Sequence, residues 1–157
     1  MNVKVRIAAA AMAAVILGLA NTPSAHAQNQ VVRLKNVAYG KCLYFNGAGR
    51  HVGTASCGKQ TNQRFEIQWW GDGKPRVYNL DYQLCLNIFG KQDTEAEAGS
   101  CGNQTSKLHL DGGSKIGDTT RIYFLYGSDK FCLDYHKDVL SWGCSSTDRQ
   151  KWEIVAY

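Results

Sequence analysis

The most constraining feature of this sequence is one phrase that occurs three times. Its fullest form is Phe131-Cys132-Leu133-Asp134-Tyr135, then Trp142-Gly143-Cys144, then Gln150-Lys151-Trp152-Glu153-Ile154-Val155. The same order of residue types appears earlier as Lys41-Cys42-Leu43-Tyr44 with Cys57 and Gln63-Arg64-Phe65-Glu66-Ile67. It appears again as Leu84-Cys85-Leu86-Asn87 with Cys101 and Leu108-His109-Leu110. A unit this short cannot bury its own apolar face, so the copies must stack on one another.

The copies open at Arg33, Arg76 and Arg121, which precede the first cysteine of their copies by nine, nine and eleven residues. The third copy therefore carries two extra residues, expected around Gly127-Ser128-Asp129. The copies occupy about 31–70, 75–111 and 120–157. Each reads as four short strands, in the first copy near 33–37, 42–45, 51–57 and 65–69, separated by glycine-rich turns. Alternation is visible in Phe65, Ile67 and Trp69 and in Trp152 and Ile154. The expected fold is all-β. A propeller also uses four-stranded units of this length, but needs at least about four of them. Three copies closing into one barrel with a capped base is the better count.

The six cysteines are Cys42, Cys57, Cys85, Cys101, Cys132 and Cys144. They fall as one pair per copy, fifteen, sixteen and twelve residues apart. Pairing within each copy is the economical reading: Cys42–Cys57, Cys85–Cys101 and Cys132–Cys144. A closed loop of about 15 residues is worth about 3 kcal/mol in the loop-entropy model. A zinc site would need ligands two to four residues apart, and no two cysteines are that close.

An oxidising destination is also written at the N-terminus. Lys4 and Arg6 precede a small, apolar run at 7–20, and Ala25-His26-Ala27 offers small residues at the two positions a signal peptidase reads. Residues 1–27 are read as a signal peptide cleaved after Ala27, leaving a single domain at 28–157. The apolar run is shorter than the about 20 residues that span a bilayer, and no membrane span is expected. Losing Lys4 and Arg6 lowers the formal charge of +5 to +3. The remaining basic residues are scattered, which argues against nucleic acid as a partner.

Taken together, Cys-Leu-Asp, a second cysteine and Gln-x-Trp resemble the ricin-type β-trefoil lectins. The third copy matches best. The first keeps Gln63-Arg64-Phe65, and the second has Leu108 in the aromatic position. The resemblance implies a β-trefoil of three four-stranded repeats and a secreted, non-catalytic domain that recognises glycans or a glycosylated surface, with no cofactor and no metal. In such sites the Asp after the first cysteine accepts hydrogen bonds from sugar hydroxyls. The aromatic two places before the second cysteine stacks on the sugar. Carried over, Asp134 is the acceptor, Trp142 the platform and Gln150 the residue that steadies Asp134. Arg149 stands where the family has Asn, suiting either an acidic sugar or a nearby carboxylate. The corresponding positions are Tyr44 and Ala55 in the first copy, which keeps Asn62, and Asn87 and Gly99 in the second; these two copies read as remnants.

The short third loop also resembles the A and C subunits of cytolethal distending toxins. The rival reading is thus a protein-interaction trefoil, a toxin delivery subunit or a secreted inhibitor, with a partner protein in place of the sugar. Trp69 is expected inward with Ile67. Trp70 is expected on the opposite side, either as an interface anchor or lying over Pro75. Glu95 and Glu97 share a face of a predicted strand, but two solvated acids are commoner than a glycosidase pair. Asp134 and Asp138 read the same way. His51, His109 and His136 are too few to suggest a metal cluster.

Overall fold

The computed structural model describes residues 30–157. The expected signal peptide lies outside the described residues. The first copy contains β1 (Val32–Asn36), β2 (Lys41–Tyr44), β3 (Arg50–His51), β4 (Gly53–Ser56) and β5 (Phe65–Trp69). The second contains β6 (Pro75–Asn79), β7 (Leu84–Asn87), β8 (Thr94–Glu95), β9 (Glu97–Gly99) and β10 (His109–Gly112). The third contains β11 (Thr119–Tyr126), β12 (Asp129–Tyr135), β13 (Val139–Gly143) and β14 (Trp152–Ala156). A single 3-10 turn precedes each closing strand: Thr61–Gln63, Gln104–Ser106 and Asp148–Gln150.

The first and last strands of each copy form a ring. β1 pairs with β14 and β5, β5 with β6, β10 with β11, and β11 with β14, all antiparallel. The ring is completed between β6 and β10, where Leu108 N donates to Pro75 O at 3.2 Å. Within each copy the middle strands make a hairpin: β2–β4, β7–β9 and β12–β13. This is the all-β trefoil that the threefold phrase predicts.

The phrase supplies the core. Leu43, Leu86 and Leu133, each next to the first cysteine of its copy, are fully buried, as are Phe65, Leu108 and Trp152 at the starts of the closing runs. Each such side chain contributes about 1.5–3 kcal/mol by leaving water. The three disulfides close as Cys42–Cys57, Cys85–Cys101 and Cys132–Cys144, one per copy.

The opening arginines are staples. Arg33 Nη1 donates to Gly58 O at 3.1 Å, Arg76 Nε to Cys101 O at 3.2 Å, and Arg121 Nη1 to Ser145 O at 2.9 Å. Each ties the first strand of a copy to the carbonyl at, or just after, its second cysteine. Arg76 is almost wholly buried and also donates to Asp72 Oδ2 at 2.7 Å. That guanidinium and the Lys74 N–H hold the Asp72 carboxyl below its ordinary pKa.

Two local expectations change, at Val52 and at Trp69, and the expected insertion in the third copy holds. The strand expected at 51–57 is broken at Val52, because β3 leaves its own hairpin to pair with β9 of the second copy. The two extra residues of the third copy lengthen the β11–β12 hairpin, which turns at Gly127-Ser128 with Tyr126 opposite Asp129. Gly127 adopts φ 61°, where glycine carries no steric penalty. Trp69 does not point into the core. Ile67 is 8% exposed but Trp69 is 56% exposed, since at the end of β5 the inward phase has run past the packed interior. Trp70 lies under the Arg76 guanidinium, 5.0 Å from its ring centroid.

Candidate functional site

The third hairpin positions the candidate site. Cys132 stands opposite Trp142 and Asp134 opposite Leu140. In an antiparallel pair, opposite residues and those two places along share a face. Asp134 and Trp142 are therefore diagonal neighbours on one face, with backbones about 7–8 Å apart. Asp134 is 4% exposed and Trp142 is half-buried.

Gln150 holds the carboxylate. Its side chain is fully buried at the end of the 3-10 turn. Nε2 donates to Asp134 Oδ2 at 2.9 Å and to Gly143 O at 3.0 Å, while Oε1 accepts from Ser145 N at 2.6 Å. One amide thus ties both hairpin strands and the loop after Cys144 to the turn. Arg149 approaches the other carboxylate oxygen, with Nε 3.7 Å from Asp134 Oδ1. Its Nη1 lies 3.4 Å from His136 Nδ1, which is also 3.4 Å from the Tyr39 hydroxyl. Of the two roles expected for Arg149, the one formed here is an ion pair with a neighbouring carboxylate.

Gln63 repeats the Gln150 pattern in the first copy, donating to Ser56 O and accepting from Gly58 N, both at 3.0 Å. There is no carboxylate to hold. Tyr44 takes that position and its ring lies against Gly53, where a Cβ would come 2.7 Å from Tyr44 Cζ. In the second copy Asn87 is 2% exposed, with Nδ2 donating to Cys85 O at 2.9 Å and Oδ1 accepting from Thr105 Oγ1 at 2.6 Å. Its polar atoms are used internally.

Sequence reading missed that Ser106 occupies the glutamine place in the second copy, its hydroxyl bonding Cys101 O and Asn103 O at 2.7 Å each. The signal was present: Leu108 follows its cysteine by seven residues, whereas Phe65 and Trp152 follow theirs by eight.

The other titratable groups lie apart from this site. Glu95 and Glu97 fall on different strands either side of buried Ala96, and Glu95 pairs with His51 Nδ1 at 2.6 Å. His109 stacks on Tyr123 and faces Lys74 Nζ at 2.9 Å. Burial, with Lys74 and Lys130 nearby, holds its imidazole below the ordinary pKa. Among the described residues, no three His, Cys, Asp or Glu side chains come together as metal ligands.

Solved structures with this fold include the designed threefold-symmetric protein ThreeFoil (TM-score 0.68, 16% identity, covering 81% of this chain and 99% of that one). A ricin B-like lectin from Macrolepiota procera, solved in complex with lactose, aligns with TM-score 0.64 at 16% identity over 82% of this chain and 96% of its own. The β-trefoil lectin of the Vibrio vulnificus hemolysin/cytolysin, solved with N-acetyl-D-lactosamine bound, aligns with TM-score 0.63 at 17% identity, covering 82% and 96%. An endo-β-galactosidase from Clostridium perfringens also matches, over only 33% of that chain. The expected likeness to cytolethal distending toxin subunits finds no support among these. No curated protein matches. The family model described as ricin-type beta-trefoil lectin domain-like matches residues 20–100, more than half the chain, and the protein belongs to that family.

Proposed function

We propose that the protein is a secreted, non-catalytic glycan-binding domain whose sugar site is in the third copy. One observation carries this reading: Asp134 is the only residue at its position among the three copies that offers a carboxylate, and Gln150 fixes that carboxylate on the same sheet face as Trp142. A fixed carboxylate accepts from vicinal hydroxyls, and an indole covers the C–H face of a sugar ring. Arg149 is taken up by its pair with Asp134 and is not a free cation for an acidic sugar, so a neutral sugar is the ligand proposed. Lactose and N-acetyl-D-lactosamine in the related lectins make galactose-containing glycans the first ligands to try. A single shallow site of this kind binds at about millimolar, roughly 4 kcal/mol, so multivalent display would be needed for tight attachment. The secretion in this proposal is supported by the sequence reading of residues 1–27 and by three disulfides. Among the described residues, no helix is long and apolar enough to cross a membrane. A glycan array comparing the mature protein with Asp134→Ala tests the proposal: the variant should lose its array signal while remaining folded, as read by circular dichroism. Unchanged array binding would remove the third copy as the site.

The rival protein-interaction role keeps one observation in its favour, the adjacent exposed tryptophans Trp69, at 56%, and Trp70, at 41%. Tryptophan is enriched among interface hot spots. Trp69→Ala should leave sugar binding and stability intact, and loss of attachment to a glycan-stripped cell surface would support the rival.

A further inference from the structure

The three inner hairpins are joined to one another at two places and open at the third. At the first joint β3 pairs with β9, and Val52 N donates to Ala96 O at 2.9 Å. At the second, β8 pairs with β13, and Ala96 N donates to Val139 O at 3.0 Å. Between the third hairpin and the first, no backbone hydrogen bond is formed among the described residues.

The cause is loop length. Val52, Ala96 and Val139 are equivalent, each five residues before the second cysteine of its copy. From Tyr44 to Val52 there are seven intervening residues, from Asn87 to Ala96 eight, and from Asp134 to Val139 only four. The longer loops supply β3 and β8, the strands that reach the next hairpin. The third loop has no residues left to do so.

The gap is a cleft of about 180 Å³ with Val52 and Val139 in its lining. Tyr44 and Thr54 line it from the first hairpin, and Tyr135, Lys137 and Asp138 from the third. Thr54 Oγ1 is buried and has no hydrogen-bond partner. Such a group costs stability unless something else satisfies it. Tyr135 stands where the other copies have fully buried Phe45 and Ile88, and it is only half-buried. Lys137 and Asp138 are exposed and take part in none of the ion pairs among the described residues.

We propose that this cleft is a second saccharide subsite, seating one neutral sugar ring. The lining offers a carboxylate acceptor, an ammonium donor and hydroxyls that do both, which matches a run of ring hydroxyls. The opposite charges of Lys137 and Asp138 favour neither an anion nor a cation. The lining is predominantly polar, so a sugar ring would be held there chiefly by hydrogen bonds. The volume lies below the about 300 Å³ of pockets that take drug-sized ligands, which limits the occupant to one ring. Asp134 is not part of the lining, so the proposal stands independently of the third-copy site.

The test is an NMR titration of the ¹⁵N-labelled protein with the methyl glycosides of galactose, glucose, mannose and N-acetylglucosamine. At least one should shift the amide resonances of Gly53, Thr54 and Lys137 saturably. Asp138→Ala should weaken that response about tenfold or more, as expected for losing a charged hydrogen-bond partner. Asp134→Ala should leave it unchanged. The proposal is overturned if none of the four sugars moves these amides, if Asp138→Ala responds undiminished, or if Asp134→Ala abolishes the response. Movement at Trp142 alone would remove the cleft and keep the third-copy site; movement at the cleft alone would do the reverse.

Discussion

Gln150 is the side chain on which the third copy's geometry turns. It bonds Asp134, Gly143 and Ser145 from a fully buried position, so removing it strands a carboxylate oxygen and a backbone N–H. Gln150→Ala should cost about 1–3 kcal/mol for each buried group left unpaired, read by urea denaturation, and should weaken sugar binding by loosening Asp134. A variant as stable as the parent would contradict this. Arg149 differs, because its pair with Asp134 is long and its side chain is 38% exposed. Exposed pairs contribute about 0.2–1 kcal/mol. Arg149→Ala should therefore leave stability nearly unchanged and strengthen binding of a neutral sugar by up to about fivefold, measured by calorimetry. Weaker binding instead would make Arg149 a direct sugar contact.

At the scale of elements, the three arginine staples make the same connection with different burial. Arg76→Ala should cost about 2–5 kcal/mol, the range for a large buried side chain cut to alanine. It removes the bond to Cys101 O, the Asp72 pair and the guanidinium over Trp70. Arg33→Ala and Arg121→Ala, from half-buried positions, should each cost clearly less. Equal losses across the three would show that burial does not set the contribution. The arginines, cysteines and leucines were legible as a pattern because each does the same job in every copy. Trp69 was not, because alternation gives the phase of a strand but not where the packed interior stops. The break at Val52 was hidden for another reason: β3 pairs with a different copy, and nothing local in Arg50-His51 names that partner. The candidate site residues Asp134 and Gln150 were legible only through the resemblance to the ricin-type lectins, whereas Arg149's use of Asp134 as its partner needed the fold.

Across the whole molecule, the ring of strands brings His109 beside Lys74, from the joint between the first two copies, and Lys130, from the third. Its imidazole is held below the ordinary value of about 6.5, chiefly by burial and then by the two lysines. The unfolded chain therefore binds the proton first as pH falls. Stability rises with pH wherever the unfolded state holds more protons. This group's contribution is fully present above about pH 6.5 and is lost as pH falls from there towards the lowered folded value. Melting curves from pH 7.5 to pH 5 should show that decline, and His109→Gln should flatten it. An unchanged slope in the variant would assign the decline to other groups.

The proposed function rests on Trp142 and Asp134 meeting the same sugar. The most direct measurement follows the indole N–H resonances of the four tryptophans during a lactose titration, in the parent and in Asp134→Asn. The amide variant keeps the shape of the side chain and removes its charge. In the parent the Trp142 resonance should shift saturably, while those of Trp69, Trp70 and buried Trp152 stay in place. In Asp134→Asn the Trp142 shift should fall by about tenfold or more in affinity, the loss expected for a charge-assisted hydrogen bond. A Trp142 resonance that never moves, or one that moves equally in both proteins, would contradict the account.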